Sequence, residues 1–141
     1  MDQQASSAVP TGLQWGNSDD PSYLDALRRA YNRGIVSTGE FDRLCHAMGI
    51  YSLPNRPDFY MVRLKIPAGV LRPTQLHGLG QLAERFTPNT AVHLTTRQDF
   101  ELYGVAREQL AEVLWQVFLM NLTTRNAGGP TVRNVTCCPL S

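Results

Sequence analysis

The chain has 141 residues, 43% of them hydrophobic, and its thirteen basic and twelve acidic side chains leave a net charge near +1. That length suits one compact domain with tails, and near-neutrality argues against a nucleic-acid binder relying on bulk electrostatics, so any charge-based recognition must be local. No apolar run approaches the roughly 20 residues of a membrane helix, and Met1 is not followed by a basic stretch and an apolar core, so a soluble, cytoplasmic protein is expected.

Residues 1–22, "MDQQASSAVPTGLQWGNSDDPS", are polar and aperiodic and read as a mobile arm, with Trp15 suited to docking. A helix is expected after Ser22, with Asp25 in its first turn and a stop at Gly34. A second, "TGEFDRLCHAMG", sets Phe41, Leu44, Cys45 and Met48 at helical spacing and ends at Gly49. The pair reads as an accessory hairpin within a helical extension, residues 23–57, with Cys45 as a core residue.

"DFYMVRLKIP" alternates as a strand, with Tyr60, Val62, Leu64 and Ile66 on one face and Arg63 and Lys65 on the other. Pro73 suits a first helical turn, after which Leu76, Leu79, Leu82, Ala83 and Phe86 form an apolar stripe that closes before Pro88. Gly78 and Gly80 weaken that helix and permit close packing. "AVHLTTRQDFELYGV" reads as two strands about a turn near Gln98 and Asp99, with Val92 and Leu94 opposed to His93, Thr95 and Arg97, and Phe100 and Leu102 opposed to Glu101 and Tyr103. A last helix, "REQLAEVLWQVFLMN", aligns Leu110, Val113, Leu114, Val117 and Phe118.

The order strand, helix, strand, strand, helix gives an α+β class, a ferredoxin-like sandwich over residues 58–122. Such a unit without its fourth strand has an unpaired sheet edge that something else must complete. Residues 123–141 form an Arg- and Gly-rich loop in which Gly128, Gly129 and Pro130 prevent regular structure and carry Arg125 and Arg133. If the helices cover the apolar face, the other face exposes Arg63, Lys65, His93, Thr95, Arg97, Glu101 and Tyr103. An antiparallel sheet facing water is polar outside for the plainest of reasons. Here the charges are mainly cationic in a nearly neutral chain, which suggests a bound polyanion held by arginine forks. Cys45, Cys137 and Cys138 contain no C-x-x-C spacing and read as free thiols, with no metal site assigned.

The blocks "FYMVRLKIPAG", "AVHLTTRQDFELYGV" and "VRNVTCCP", in that order and preceded by "GIYSLPNRP", resemble the amino-terminal ferredoxin-like half domain of the siroheme-dependent nitrite and sulfite reductases, over about residues 49–139. The resemblance implies that two such halves combine and that siroheme sits among basic residues with its iron bridged to a 4Fe–4S cluster. Arg63 and Arg133 match arginines that bind the substrate oxyanion and cofactor carboxylates. Thr95, Thr96, Arg97 and Asn134 match siroheme-contact positions, and Lys65, His93 and Arg125 are added as cofactor-binding groups. Members often carry Gln and His where this chain has Glu101 and Tyr103, which sets an acid near an anionic ring.

The implied reaction is six-electron reduction of sulfite or nitrite, with electrons from a ferredoxin or flavoprotein donor. The cluster cysteines of the family lie beyond this segment, so the chain is expected to need the remaining half of the reductase and to be inactive alone. Residues 123–141 would then lead into the siroheme domain. Competing readings are a stand-alone ferredoxin-like module that binds a tetrapyrrole or a partner without turnover, and a truncated relative of the precorrin-modifying enzyme that shares these domains.

Overall fold

The computed structural model describes residues 16–138 and 140. Four helices, α1 (Asp19–Asn32), α2 (Thr38–His46), α3 (Pro73–Phe86) and α4 (Leu110–Leu119), accompany four strands, β1 (Ile50–Leu53), β2 (Arg56–Leu64), β3 (Val92–Leu94) and β4 (Phe100–Ala106). The strands form one antiparallel sheet in the order β1-β2-β4-β3. This is the ferredoxin-like α+β sandwich that the element order predicts, with α3 and α4 on the face carrying Tyr60, Val62, Leu64 and Leu102. Among the described residues no helix is long and apolar enough to cross a membrane.

The expected open edge is where structure and sequence reading part. Ile50–Leu53, read as a lead-in to the first strand, is itself a strand and fills the position beside β2 that a closing strand would take. Four residues between Gly49 and Pro54 are too few for alternation to register, yet the Leu53–Arg56 turn folds them back onto the β2 backbone. Among the described residues after α4, the chain pairs with the same edge at one isolated bridge, Lys65–Thr123, where the Lys65 amide donates to the Thr123 carbonyl at 2.8 Å. Gly49 makes the crowding at this point possible. It sits at φ 70°, and an added Cβ would lie 2.9 Å from the Arg63 carbonyl.

Residues 1–15 of the predicted arm, Trp15 included, lie outside the described residues. The first helix begins at Asp19 rather than after Ser22, with Asp19 and Asp20 in its first turn where acids favour the positive end of the helix dipole. The second helix starts at the predicted place, with the Ser37 hydroxyl accepting from the Glu40 amide at 3.3 Å. These two helices are more than an accessory hairpin. Leu24, Leu27, Phe41, Cys45 and Met48 belong to the same buried cluster as the sheet residues. Burial pushes the Cys45 thiol up to about 12, as suits a packed, unreactive group.

Two apolar assignments on short elements change. Leu94 is 73% and Leu76 56% exposed, because β3 has only three residues at the sheet edge and Leu76 lies in the first turn of α3, outside the buried stripe of Leu79, Leu82, Ala83 and Phe86. Gly78 does permit close approach: a Cβ there would overlap the Met120 sulfur, whereas Gly80 faces open space. The last helix opens with a 3-10 turn, Arg107–Gln109, and Phe118 is half-buried, stacked on Trp115 at 5.5 Å between centroids.

Arg107, in that 3-10 turn, is 7% exposed. Its guanidinium lies 4.0 Å from the Tyr31 ring centroid, donates from Nε and Nη2 to the Tyr60 hydroxyl at 3.2 Å, and pairs through Nη1 with Asp58 at 2.6 Å. Tyr60 in turn donates to Asp42 at 3.2 Å, so one cation ties α1, α2 and β2 together. Replacing Arg107 by Ala should lower unfolding free energy by about 2–4 kcal/mol, since it leaves polar groups unpaired and opens a void. Urea unfolding followed by circular dichroism checks this; a loss under about 1 kcal/mol contradicts the assignment.

Asp99 sits just before β4, only 1% exposed, and among the described residues neither carboxylate oxygen has a hydrogen-bond partner of good geometry. Burial raises its pKa, and the Ile66 amide and the charges of Arg63 and Lys65 oppose that rise without overcoming it. A carboxyl that holds its proton more tightly when folded stabilises the fold in acid and loses that contribution as pH rises above the ordinary Asp value of about 3.9. Asp99→Asn should therefore flatten the decline in stability as pH rises above about 4, as read from urea midpoints, and gain relative to the parent at the upper end of the range. A parent curve that climbs over the same interval while the variant's stays level would contradict the sign.

Candidate anion-binding site

Antiparallel pairing of β2 and β4 places Arg63 opposite Glu101, and pairing of β3 and β4 places His93 opposite the same residue. All three lie on the sheet face away from α3 and α4, and there they line a cleft of about 450 Å³ with Leu94, Thr95, Thr96, Arg97 and Arg133. A larger hollow of about 490 Å³, between α3 and α4, is lined by Leu82, Phe86, Leu119 and Met120 among others and does not assemble cations.

The turn that carries Thr95, Thr96 and Arg97 is built by its own side chains. Thr95 Oγ1 accepts from the Arg97 amide at 3.2 Å and the Asp99 amide at 3.1 Å, while the Gln98 amide donates to the Thr95 carbonyl at 3.1 Å. With its acceptor sites used, the Thr95 hydroxyl has its proton left to donate. Gln98, at φ 62°, then clamps the distant segment: its Nε2 donates to the Cys137 carbonyl at 2.8 Å and its Oε1 accepts from the Cys137 amide at 3.0 Å. Cys137 and Cys138 are both exposed.

That segment, after α4, lies over one side of the open face. Asn134 Nδ2 donates to the Ile66 carbonyl at 2.7 Å and the Arg97 carbonyl at 2.9 Å, and Lys65 Nζ donates to the Val132 carbonyl at 3.1 Å. Gly128 passes so close to Tyr51 that a Cβ there would overlap the phenol oxygen. Tyr51 is half-buried, but its hydroxyl is buried without a hydrogen-bond partner among the described residues, and burial pushes its pKa up. This residue carried no signal in the sequence, because its strand was itself unrecognised.

The predicted residues accordingly separate. Arg63, His93, Thr95, Thr96, Arg97 and Arg133 meet at the cleft, so the guanidiniums of Arg63 and Arg133 share one site. Lys65 and Asn134 lie beside it as fasteners of the overlying segment. Arg125 is directed elsewhere. Its Nη2 and Nε bind the buried Asp20 carboxylate at 2.6–2.9 Å, joining the segment to the start of α1, and this pairing raises the Arg125 pKa.

Glu101 dominates the electrostatics. It is 7% exposed, and its Oε1 accepts from Arg63 Nε at 2.7 Å and Nη2 at 2.5 Å, while Oε2 accepts from the Tyr103 hydroxyl at 2.9 Å. The Tyr103 ring also packs on His93, with centroids 4.7 Å apart, and burial followed by the bond to Glu101 raises the phenol's pKa, keeping it a donor. Arg63 is thus largely satisfied inside the protein. Arg133 is held by one bond, from Nε to the Gly129 carbonyl at 3.3 Å, and the Arg97 guanidinium has no partner among the described residues. Three guanidiniums against one carboxylate make the cleft suited to a ligand with several negative groups.

The family described as "Nitrite/Sulfite reductase ferredoxin-like half domain" matches residues 51–115. A ferredoxin–nitrite reductase of Synechococcus elongatus is 34% identical over 106 residues, which is 75% of this chain and 21% of that protein. An assimilatory ferredoxin-dependent nitrite reductase of Haloferax mediterranei is 35% identical over 92 residues, 59% of this chain and 16% of the relative. The NADPH sulfite reductase hemoprotein beta-component of Shewanella sp. (strain W3-18-1) is 31% identical over 80 residues, 57% and 14%. The chain therefore spans about a fifth or less of the length of these curated relatives. The solved structure of Mycobacterium tuberculosis NirA shares the fold, with a TM-score of 0.67 at 17% identity over 85% of this chain and 27% of that one. The half domain of residues 51–115 belongs to the nitrite/sulfite reductase ferredoxin-like family.

Proposed function

We propose that this chain is part of a siroheme- and 4Fe–4S-dependent nitrite or sulfite reductase and forms one wall of the site that holds the macrocycle and the substrate oxyanion. The observation that carries this reading is the convergence of Arg63, Arg97 and Arg133 with the Thr95 and Thr96 hydroxyls on one cleft. Siroheme presents eight carboxylates, and this donor set has the chemistry that pairs with them. The fit is thus one of donor type, with Arg97 and Arg133 the cations readiest to bind.

When bound, siroheme and the cluster supply the electron-transfer chemistry of the six-electron reduction. The side chains here hold and orient anions. Arg133 and Arg97 offer their terminal nitrogens to carboxylates or oxyanion, Thr95 donates its hydroxyl proton in a hydrogen bond, and the guanidiniums stabilise negative charge without giving up protons, arginine being permanently cationic in proteins. Three cysteines in the chain cannot supply four thiolates, so the cluster would be held by residues outside it. The remaining half of the reductase, and a ferredoxin or flavoprotein electron donor, are the partners this reading requires.

Titration of the chain with siroheme, followed by its absorption, tests the assignment. Arg133→Ala and Arg97→Ala should each weaken binding about 10- to 100-fold, the loss expected for a charged hydrogen bond, and salt should weaken the parent as well. Undiminished affinity in the double variant would refute the cleft as the binding site.

A further inference from the structure

Arg63 lies on one of the two inner strands of the sheet and lines the cleft, and yet it is the arginine with least to offer a ligand. An arginine recognises a carboxylate through two neighbouring N–H groups, and the Nε–Nη2 edge of Arg63 is already closed on Glu101 Oε1 at 2.7 and 2.5 Å. Nη1, on the other side, leans on the Ala127 carbonyl at 3.5 Å. Glu101 is itself fixed, by the cross-strand register and by the Tyr103 hydroxyl at 2.9 Å on its second oxygen. Within the same cleft, Arg97 and Arg133 keep their terminal nitrogens without partners among the described residues.

We infer that Glu101 is an internal stand-in for a ligand carboxylate: it occupies the two-point edge of Arg63 and thereby sets how strongly, and by which arginines, the cleft takes an anion. The inference rests on the anion-binding reading above and adds a residue to it. Because the competing carboxylate is part of the protein, an incoming anion must displace a partner that is permanently at hand. A ligand with several carboxylates engages Arg97 and Arg133 first and challenges Glu101 afterwards. A small monovalent anion has no such second foothold. Glu101 is in this sense a specificity-determining and positioning residue, acting through Arg63.

The test uses the 141-residue chain and uroporphyrin, an eight-carboxylate ring read by its absorption band, with binding constants measured at several salt concentrations. Glu101→Gln keeps the shape and an acceptor for Arg63 but removes the charge, and should tighten binding about 10-fold and steepen its salt dependence. Glu101→Asp retains the charge and should bind within about threefold of the parent. Arg63→Ala in the parent should cost less than about threefold, because its edge is already occupied. The double variant Arg63→Ala with Glu101→Gln should lose the gain, since that gain is realised through Arg63.

Absence of a gain in Glu101→Gln, with the parent still binding, overturns the inference and leaves the cleft assignment standing. A gain that survives in the double variant also overturns it, for Glu101 would then act by simple repulsion. No binding by parent or any variant overturns both readings.

Discussion

The register of β2 on β4 is the constraint on which the site depends. Val62 faces Leu102 and Leu64 faces Phe100, so Arg63 must face Glu101 on the opposite side of the sheet. A slip of one residue would exchange the two faces and put a guanidinium into the apolar layer beneath α3 and α4. The packed side of the sheet therefore holds the polar side in place. The core fixes the charge pairing, and the charge pairing shapes the cleft.

A second layer of organisation comes from the segment after α4, which has no regular structure and is still firmly placed. Its fasteners are polar and distributed: Asp20 on Arg125, Ile66 and Arg97 carbonyls on Asn134, Gln98 on Cys137 and Lys65 on Val132. Each is an interaction with a backbone group or a charge far away in sequence. By these contacts a Gly- and Pro-containing stretch brings Arg133 over the sheet without helix or strand. The Tyr51 hydroxyl, against Gly128, and the Asp99 carboxylate are buried with hydrogen-bonding capacity unmet among the described residues.

The helices α1 and α2 serve the same sheet from the other side. Arg107 joins them to β2 through Tyr31, Tyr60 and Asp58, a buried cation shared by aromatic faces and a carboxylate. Asp20, at the start of α1, reaches the segment that carries Arg133. The amino-terminal helices are thereby tied both to the core and to the cleft's overlying strap.

Alternation along residues 58–66, the stripe from Leu79 to Phe86 and that from Leu110 to Val117 suffice to declare strands, helices and their apolar faces, because these patterns are local and repeat with the period of the backbone. From them follow the sandwich and the polar face bearing Arg63, His93 and Arg97. What the chain order could not disclose is which partner each arginine takes. Arg125 and Arg133 share one Gly-rich loop, and both are expected to bind the cofactor, yet one is bound to Asp20 and the other lines the cleft. Arg107 carries no sign in the sequence that it is buried, and Ile50–Leu53, which lies in the expected helical extension, closes the sheet. Ion pairs such as Arg107–Asp58 and Arg125–Asp20 join groups scores of residues apart, and a four-residue strand is too short to alternate visibly, so neither leaves a periodic trace and only the tertiary structure decides them.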